Sequence, residues 1–406
     1  MTLSDYFGFN RSRKMELGGT AAICIVASMI GALFAGSTVL TPLYVIYKPQ
    51  FGFSQISLTL IYAAYVIGNL AALLLFGRLS DQIGRRRSSV IAMAAAFMSA
   101  LIFLFAQGIA SLYAGRILSG LAIGIGAGTG TAWLAELIAE ENKSRATVTA
   151  TSANFVGLGV GALMSGVLAD WVSSPLRLPF IVYLAALVPV SALIWFIRET
   201  VSHPVQTIQR ISLRPQLSVP SEIRAQFVAP AVTGFGAMAL VGFYAALAPS
   251  LLAERLHETS HAAAGAVFLQ LAAVVAATIV TTQSLPSRAA MLWALGLMLP
   301  SVGLLVSAQL AASMAIMIIA TAACGVAAGL GYRGSLQVVN QIAPEHPRAE
   351  VVSSYFVCGF SGNALPVIGV GVISTFASLA TASLAFAATI SVFAVVALYF
   401  GIKYPS

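Results

Sequence analysis

The chain contains a series of apolar runs, each long enough to cross a lipid bilayer as a helix. Hydrophobic residues make up 59% of its 406 residues, and charged residues only 8%. A soluble domain carries about 25% charged residues, so this chain lacks the polar surface that water requires. A helix crosses the hydrocarbon core with roughly 20 apolar residues, and in lipid every backbone polar group must be paired internally. These features predict an all-α membrane protein.

The apolar runs number twelve and fall into two sets of six. Their approximate ranges are 18–42, 55–76, 88–107, 112–136, 147–170, 178–197, 227–251, 262–284, 289–308, 312–336, 351–374 and 379–401. We therefore predict twelve transmembrane helices in two six-helix bundles. The predicted divisions are a cytoplasmic N-terminal tail over 1–17, a first bundle over 18–197, a central cytoplasmic loop over 198–226 and a second bundle over 227–406.

The basic residues predict how the chain is oriented in the membrane. Most of the 21 Lys and Arg residues lie in the connections that share a side with the N-terminus. Because cytoplasmic loops carry the excess of positive charge, both termini are predicted to face the cytoplasm. The net charge of +8 is thereby explained by topology, and no continuous basic face is present that would follow a phosphate backbone. We predict no nucleic-acid partner.

An internal repeat relates the two sets of runs. Residues 120–126 read GLAIGIG in the fourth run, and residues 325–331 read GVAAGLG in the tenth. The connections that follow, 138–145 and 342–348, also correspond. Parallel repeats of six helices, related by an axis along the membrane normal, characterise one large class of transporters. The repeat therefore supports two related bundles.

The connection between the second and third runs carries the most specific motif. Residues 77–87 read GRLSDQIGRRR. This resembles the signature loop of the major facilitator superfamily, G-x-L-(A/S)-D-x-x-G-R-(R/K)-x, in the expected loop of a twelve-run chain. The resemblance covers the whole chain and implies a secondary transporter that works by alternating access.

The resemblance also implies roles for residues of the signature loop. Gly77 and Gly84 permit a tight turn and a close helix approach. Asp81 is expected to hold the outward-facing state by meeting the N-terminus of the eleventh helix, near residues 350–353. The exposed N–H groups and the positive dipole end of that helix would favour a carboxylate.

Arg85 is expected, by the same resemblance, to pair with an acid at the end of the fourth helix. Glu136 and Glu140 both fit that place. The alternative is that the arginines of the loop only anchor the topology. The corresponding loop of the second half has lost the signature, since Pro286 stands at the position equivalent to Asp81. A single conformational latch, formed by Gly77, Asp81, Gly84, Arg85 and Glu136, is therefore predicted.

Two arginines lie inside apolar runs, where a charge is costly and marks function. Arg116 begins a stretch that resembles the family's second motif, whose arginine is linked to proton transfer in proton-coupled relatives. Snorkelling to the outer headgroups is the alternative. Arg333 lies deep in the tenth run, where its repeat equivalent is Gly128. Contact with an anionic group of a substrate competes there with a salt bridge or a cytoplasmic snorkel.

The candidate residues for coupling and for substrate contact follow from these helices. The coupling candidates are Arg116, Asp81 and Glu136, with Asp170 as a further acid near the membrane. The candidates for the substrate cavity are Thr38, Thr41, Tyr44, Tyr244, Arg333 and Gln337. Drug–proton antiporters of the family often carry an acid in the first helix and a Gly-Pro motif in the fifth, and this chain has neither, with Gly161-Ala162 at the latter position.

These observations predict transport and leave its direction open. The leading interpretation is export of a small organic compound; the alternatives are a symporter or facilitator for uptake of a small metabolite, including an organic anion, and a membrane sensor that does not transport. No nucleophile–base set or metal cluster is visible in the runs, so no enzyme, cofactor or metal site is predicted. The predicted partners are a small-molecule substrate, the lipid bilayer and a coupling proton, and the predicted form is a monomer in a bacterial inner membrane.

Overall fold

The computed structural model describes residues 19–138, 143–202, 217–346 and 348–404, and these ranges are helical without a strand. The α-helices are α1 Gly19–Thr38, α2 Tyr44–Phe51, α3 Gln55–Phe76, α4 Leu79–Ile83, α5 Arg85–Leu104, α6 Ile109–Leu137, α7 Lys143–Trp171, α8 Leu178–Ile194, α9 Arg224–Arg255, α10 His261–Thr281, α11 Ser287–Leu310, α12 Met314–Ile342, α13 Arg348–Ile373 and α14 Leu379–Lys403.

Twelve of these helices correspond to the twelve apolar runs. Eleven are long and apolar enough to span a membrane, and α8 is a shorter apolar helix. The first bundle contains α1, α3, α5, α6, α7 and α8, and the second contains α9 to α14, while α2 and α4 occupy connections. The predicted all-α fold with twelve spanning helices is confirmed. The residue boundaries of the predicted divisions stay a prediction.

The two ends of the bundles differ, and we name them by the signature loop. The signature end carries residues 77–87, and the far end is opposite. Four helices begin at the far end with a serine N-cap whose hydroxyl accepts a hydrogen bond from a backbone N–H three residues later; the serines are Ser54, Ser260, Ser313 and Ser378. These caps satisfy N–H groups that have no partner within the helix. The first described helix begins at Gly19 and the last ends at Lys403, and both of these residues lie at the signature end.

The repeated glycines bring equivalent helices together in the two bundles. A Cβ added to Gly120 would lie 1.9 Å from the backbone oxygen of Tyr65 on α3. In the second bundle, a Cβ on Gly329 would lie 2.9 Å from the backbone oxygen of Val275 on α10. Small residues allow backbones to approach closely in lipid, where helices associate by packing rather than by the hydrophobic effect. The repeat therefore packs the fourth spanning helix of each bundle against the second.

Candidate functional site

A cavity of about 480 Å³ lies between the two bundles. Its wall is formed by residues of α1, α3, α6 and α7 on one side and of α9, α10, α12 and α13 on the other. Wall residues toward the signature end are exposed, among them Thr131, Ala135 and Thr147. Thr38, toward the far end, is only 2% exposed. The cavity therefore opens at the signature end and is closed at the far end.

Asp170 closes the far end by binding the N-terminus of a helix in the other bundle. It lies at the end of α7, and its carboxylate accepts hydrogen bonds from the backbone N–H groups of His261 (3.0 Å) and Ala262 (2.9 Å) at the start of α10. The hydroxyl of Ser260 donates a further bond at 2.7 Å, and Nδ1 of His261 lies 2.7 Å from Oδ1. A carboxylate is stabilised by the positive end of a helix dipole, so Asp170 joins the bundles.

The backbones of α7 and α10 also meet closely near this end. A Cβ on Gly166 of α7 would lie 2.2 Å from the backbone oxygen of His261, and a Cβ on Gly265 of α10 would lie 2.6 Å from that of Ala162. The glycines let the two helices pack with no side chain between them. An exposed ion pair at 3.5 Å between Lys48 of α2 and Glu254 of α9 also joins the two bundles.

At the signature end, Arg85 is buried and makes a two-pronged ion pair with Glu136. Nη2 and Nε of Arg85 lie 2.6 Å and 3.1 Å from the two carboxylate oxygens. Its Nη1 donates to the hydroxyl of Ser80 at 2.5 Å. Bidentate contacts of this kind are among the stronger hydrogen bonds in proteins. Glu136 therefore holds Arg85 at the end of α6, and Glu140, the other predicted partner, lies outside the described residues.

Asp81 pairs with Arg85 within its own loop. Its carboxylate lies 2.6 Å from Nη1 of Arg85, and its side chain is 59% exposed. The predicted contact of Asp81 with the start of α13 belongs to the outward-facing state, in which the signature end would be closed. Because this end is open here, that role of Asp81 stays a prediction.

Glu199 is a member of the signature-end cluster that the motif did not indicate. It follows α8, and its carboxylate accepts hydrogen bonds from the backbone N–H groups of Arg85 (2.9 Å) and Arg86 (3.0 Å) at the start of α5. Gly84 has φ +99°, and a Cβ there would lie 2.7 Å from Oε2 of Glu199. Gly84 therefore serves both a backbone conformation that favours glycine and the approach of Glu199. An acid directly after an apolar run, beside Arg198, was the only signal in the sequence.

Arg116 is buried among tyrosines. It is 1% exposed; its Nε donates to the hydroxyl of Tyr44 at 2.9 Å, and its Nη1 donates to the backbone oxygen of Ser37 at 2.5 Å. The rings of Tyr44, Tyr62 and Tyr65 lie 5.4 to 5.7 Å from the guanidinium carbon. No carboxylate of the described residues pairs with it. Arg116 is therefore a buried cation stabilised by hydroxyl, carbonyl and aromatic groups.

The two tyrosines beside Arg116 join the bundles at the cavity wall. The hydroxyls of Tyr62 and Tyr65 both donate to Oδ1 of Asn363 on α13 at 2.7 Å. Nδ2 of Asn363 donates to the backbone oxygen of Met238 on α9 at 3.2 Å. These bonds place Asn363, a residue that the sequence did not single out, at the contact between α3, α9 and α13.

Comparison with known proteins identifies the family. The model of the Major Facilitator Superfamily matches residues 23–367. The chain belongs to the major facilitator superfamily. A search of curated protein sequences found no significant match. Among solved structures, it is similar to two crystal structures of a bacterial homologue of the human lysosomal transporter Spinster, both inward-facing, one unoccupied and one occupied.

These two similarities show the same fold over 95% of the chain. The TM-scores are 0.71 and 0.70, with 15% and 16% sequence identity. Each alignment covers 95% of this chain and 96% of the other. The family, which the signature loop predicted, and the fold class, which the apolar runs predicted, are confirmed, while at this identity nothing further is carried over from the Spinster homologue.

In the superfamily fold of this chain, only one of the predicted substrate contacts is part of the cavity wall. Thr38 lies in the wall, and its hydroxyl donates to the backbone oxygen of Leu158 at 2.7 Å. Tyr44 is held by Arg116 behind the wall, and Thr41 is buried near the far end. Tyr244 is buried and accepts a hydrogen bond from Thr321 at 3.1 Å. Their roles in substrate contact stay predictions.

Arg333 and Gln337 lie together at the signature end, outside the wall formed by the described residues. Nη2 of Arg333 donates to the backbone oxygen of Leu285 at 2.8 Å, and Nη1 lies 3.2 Å from Oε1 of Gln337. Leu285 belongs to the connection between α10 and α11. In this conformation Arg333 therefore positions that connection, and its contact with a substrate stays a prediction.

The coupling candidates lie at two separate places. Asp81 and Glu136 share Arg85 at the signature end. Arg116 is twenty residues before Glu136 on the same helix, α6, which corresponds to about 30 Å along the axis. The structure therefore does not bring all three candidates together.

Proposed function

We propose that this chain is a secondary transporter that exports a small organic compound by alternating access. Its membership in the superfamily supports membrane transport. The observation that carries the proposal is the cavity between the bundles, which opens at the signature end and is closed at the far end by Asp170 and the contact of α7 with α10. A cavity closed at one end only is what one state of such a cycle requires.

The two ends would be closed in turn by carboxylates of the first bundle. At the far end, Asp170 accepts hydrogen bonds from the start of α10. At the signature end, Asp81 would bind the start of α13 after leaving Arg85. Rocking of the bundles would then exchange one carboxylate–helix contact for the other, so that neither state is strongly favoured. A ligand shifts such an equilibrium through its different affinities for the two states.

The positive residues at the signature end support a cytoplasmic location for it, and the state described is then inward-facing. We propose that both termini face the cytoplasm of a bacterium, that the chain spans the inner membrane as a monomer, and that it has neither a cofactor nor an enzymatic activity. We also propose protons as the coupling ion, with Asp81, Glu136 and Arg116 as the candidate groups. Uptake is the alternative, and for an organic anion it is disfavoured because Arg333 lies outside the cavity wall.

Accumulation in a deletion strain tests the direction of transport. The strain lacking the gene is compared with strains complemented by the wild type or by Asp81→Asn, and a panel of small organic compounds is measured inside the cells. Export predicts that deletion raises the internal concentration of at least one compound, that the wild type lowers it again, and that Asp81→Asn does not, although it is expressed normally. A lower internal concentration after deletion would instead indicate uptake. Normal export by Asp81→Asn would reject the signature-end latch.

A further inference from the structure

We propose that the cavity selects an uncharged, largely apolar molecule with a flat hydrocarbon part and one amide-sized polar group. This inference rests on the proposed transport function and names its substrate class. Nine of the wall residues are aromatic, and none of those described is charged. Ligand pockets use apolar and aromatic walls for affinity and a few placed polar groups for orientation.

Most hydroxyl groups of the wall are used within the protein, and among the described wall residues only Thr147 and Tyr332 have a hydroxyl without a hydrogen bond. Thr131 and Thr151 donate to the backbone oxygens of Ala127 and Thr147, four residues earlier on their own helices, at 2.8 Å. Ser37 donates to the backbone oxygen of Phe34 at 2.7 Å. A hydroxyl proton that is donated to a carbonyl is not available to a ligand. The wall is therefore less polar than its residue types suggest.

Two amide groups of the wall have hydrogen-bonding capacity left. Asn69 on α3 is 3% exposed, and its Nδ2 has no partner. Asn154 on α7 has no partner at Oδ1. Unpaired buried polar atoms cost free energy and are uncommon in folded proteins. A ligand that carries an acceptor and a donor, as an amide does, matches these two groups in kind.

The surroundings of the cavity disfavour both signs of charge. Arg116 lies behind the wall, with its guanidinium against the rings of the wall residues Tyr62 and Tyr65. Its Nε and Nη1 are already bonded to Tyr44 and Ser37. A cationic ligand would meet the positive charge of Arg116 without a carboxylate among the described wall residues, and an anionic ligand would find no cation among them. An ion that leaves water without a partner loses its solvation.

Three isosteric probes test the assignment: naphthalene-2-carboxamide, naphthalene-2-carboxylate and naphthalene-2-carboxamidine, which are neutral, anionic and cationic. Binding to the full chain in lipid nanodiscs is measured by equilibrium dialysis against empty nanodiscs. We expect the carboxamide to bind at least about tenfold more tightly than either ion, the ratio that corresponds to about 1.4 kcal/mol. Equal or tighter binding of the carboxylate or the carboxamidine overturns the assignment, and so does the absence of binding by all three.

A charge placed on the wall provides the matched comparison. Thr131 is an exposed wall residue, so Thr131→Asp would present a carboxylate to the cavity and Thr131→Asn its neutral isostere. We expect Thr131→Asp to raise affinity for the carboxamidine severalfold and Thr131→Asn to leave the order of the probes unchanged. No gain with Thr131→Asp would show that the probes do not occupy this cavity. Failure of these tests leaves transport itself open, because transport is measured separately by accumulation in the deletion strain.

Discussion

Arg85 of the signature loop forms ion pairs with two acids that contribute unequally to stability. Its side chain is buried, while those of Glu136 and Asp81 are 35% and 59% exposed. Glu136 makes a two-pronged contact and also accepts a hydrogen bond from the hydroxyl of Thr200. An exposed ion pair contributes at most about 1 kcal/mol, whereas removing one partner of a buried charge costs more. Glu136 should therefore dominate in this conformation.

We predict that Glu136→Gln lowers the free energy of unfolding by about 2 kcal/mol, because Arg85 loses a charged, bidentate acceptor. Asp81→Asn is the control and should cost less than about 1 kcal/mol, since its side chain is mostly in solvent. Thermal unfolding of the purified variants in one detergent measures both effects. An equal or larger loss for Asp81→Asn would contradict this ranking of the two acids.

At the scale of helices, hydropathy predicted where the spanning helices lie in the sequence, but it did not predict which face of each helix lines the cavity. The predicted run 227–251 corresponds to α9, Arg224–Arg255, and the run 55–76 coincides with α3, Gln55–Phe76. The faces were not predictable, because in lipid the outer face of a helix is as apolar as its packed face. Thr38 and Thr41 show the difference: both lie in one apolar run, yet only Thr38 is in the cavity wall.

The contacts at the signature end were only partly predictable from the sequence. The motif indicated Arg85 and an acid at the end of α6, and these two side chains do meet. It gave no sign of Glu199, whose contacts with the start of α5 depend on where α8 ends in space. Arg333 was singled out for its position in an apolar run, but its side chain points to the α10–α11 connection, where it donates a hydrogen bond to the backbone oxygen of Leu285. The contacts of Glu199 and of Arg333 both depend on how distant segments of the chain pack together, which a local sequence pattern does not show.

We predict that Gly166→Ala weakens the contact of α7 with α10 and opens the far end. The new Cβ would lie 2.2 Å from the backbone oxygen of His261, a separation that forces the helices apart because a backbone atom cannot rotate away. Gly303→Ala is the control, since a Cβ there meets no heavy atom within 4 Å. A cysteine introduced at the buried Thr41 should react severalfold faster with a polar maleimide in Gly166→Ala only. Equal rates in both variants would indicate that this contact does not close the far end.

For the whole molecule, the balance between two states depends on contacts that exist in only one of them. Asp170 is such a contact, because it links α7 of the first bundle to α10 of the second at the closed end. The buried interior of each bundle is the same in both states if the bundles rock as units. A change at Asp170 should therefore shift populations without unfolding either bundle, in contrast to a change at Glu136.

We predict that Asp170→Asn shifts the equilibrium toward a state open at the far end. Loss of the charge removes about 2 kcal/mol of bonding to the α10 N-terminus, which corresponds to roughly a thirtyfold change in the population ratio. Spin labels are placed at Ser173 and Thr259 for the far end and at Arg87 and Glu345 for the signature end, all exposed positions, in a chain whose cysteines are replaced.

The distance distributions then separate rocking of the bundles from local fraying. Rocking requires the far-end pair to lengthen while the signature-end pair shortens, because both ends belong to the same two rigid bundles. Glu254→Gln is the matched control: it removes only the exposed pair with Lys48, which contributes under about 1 kcal/mol, and should leave both distributions nearly unchanged. Lengthening at the far end alone would mean that Asp170 anchors the start of α10 without governing the state of the transporter, and alternating access would then need another gate.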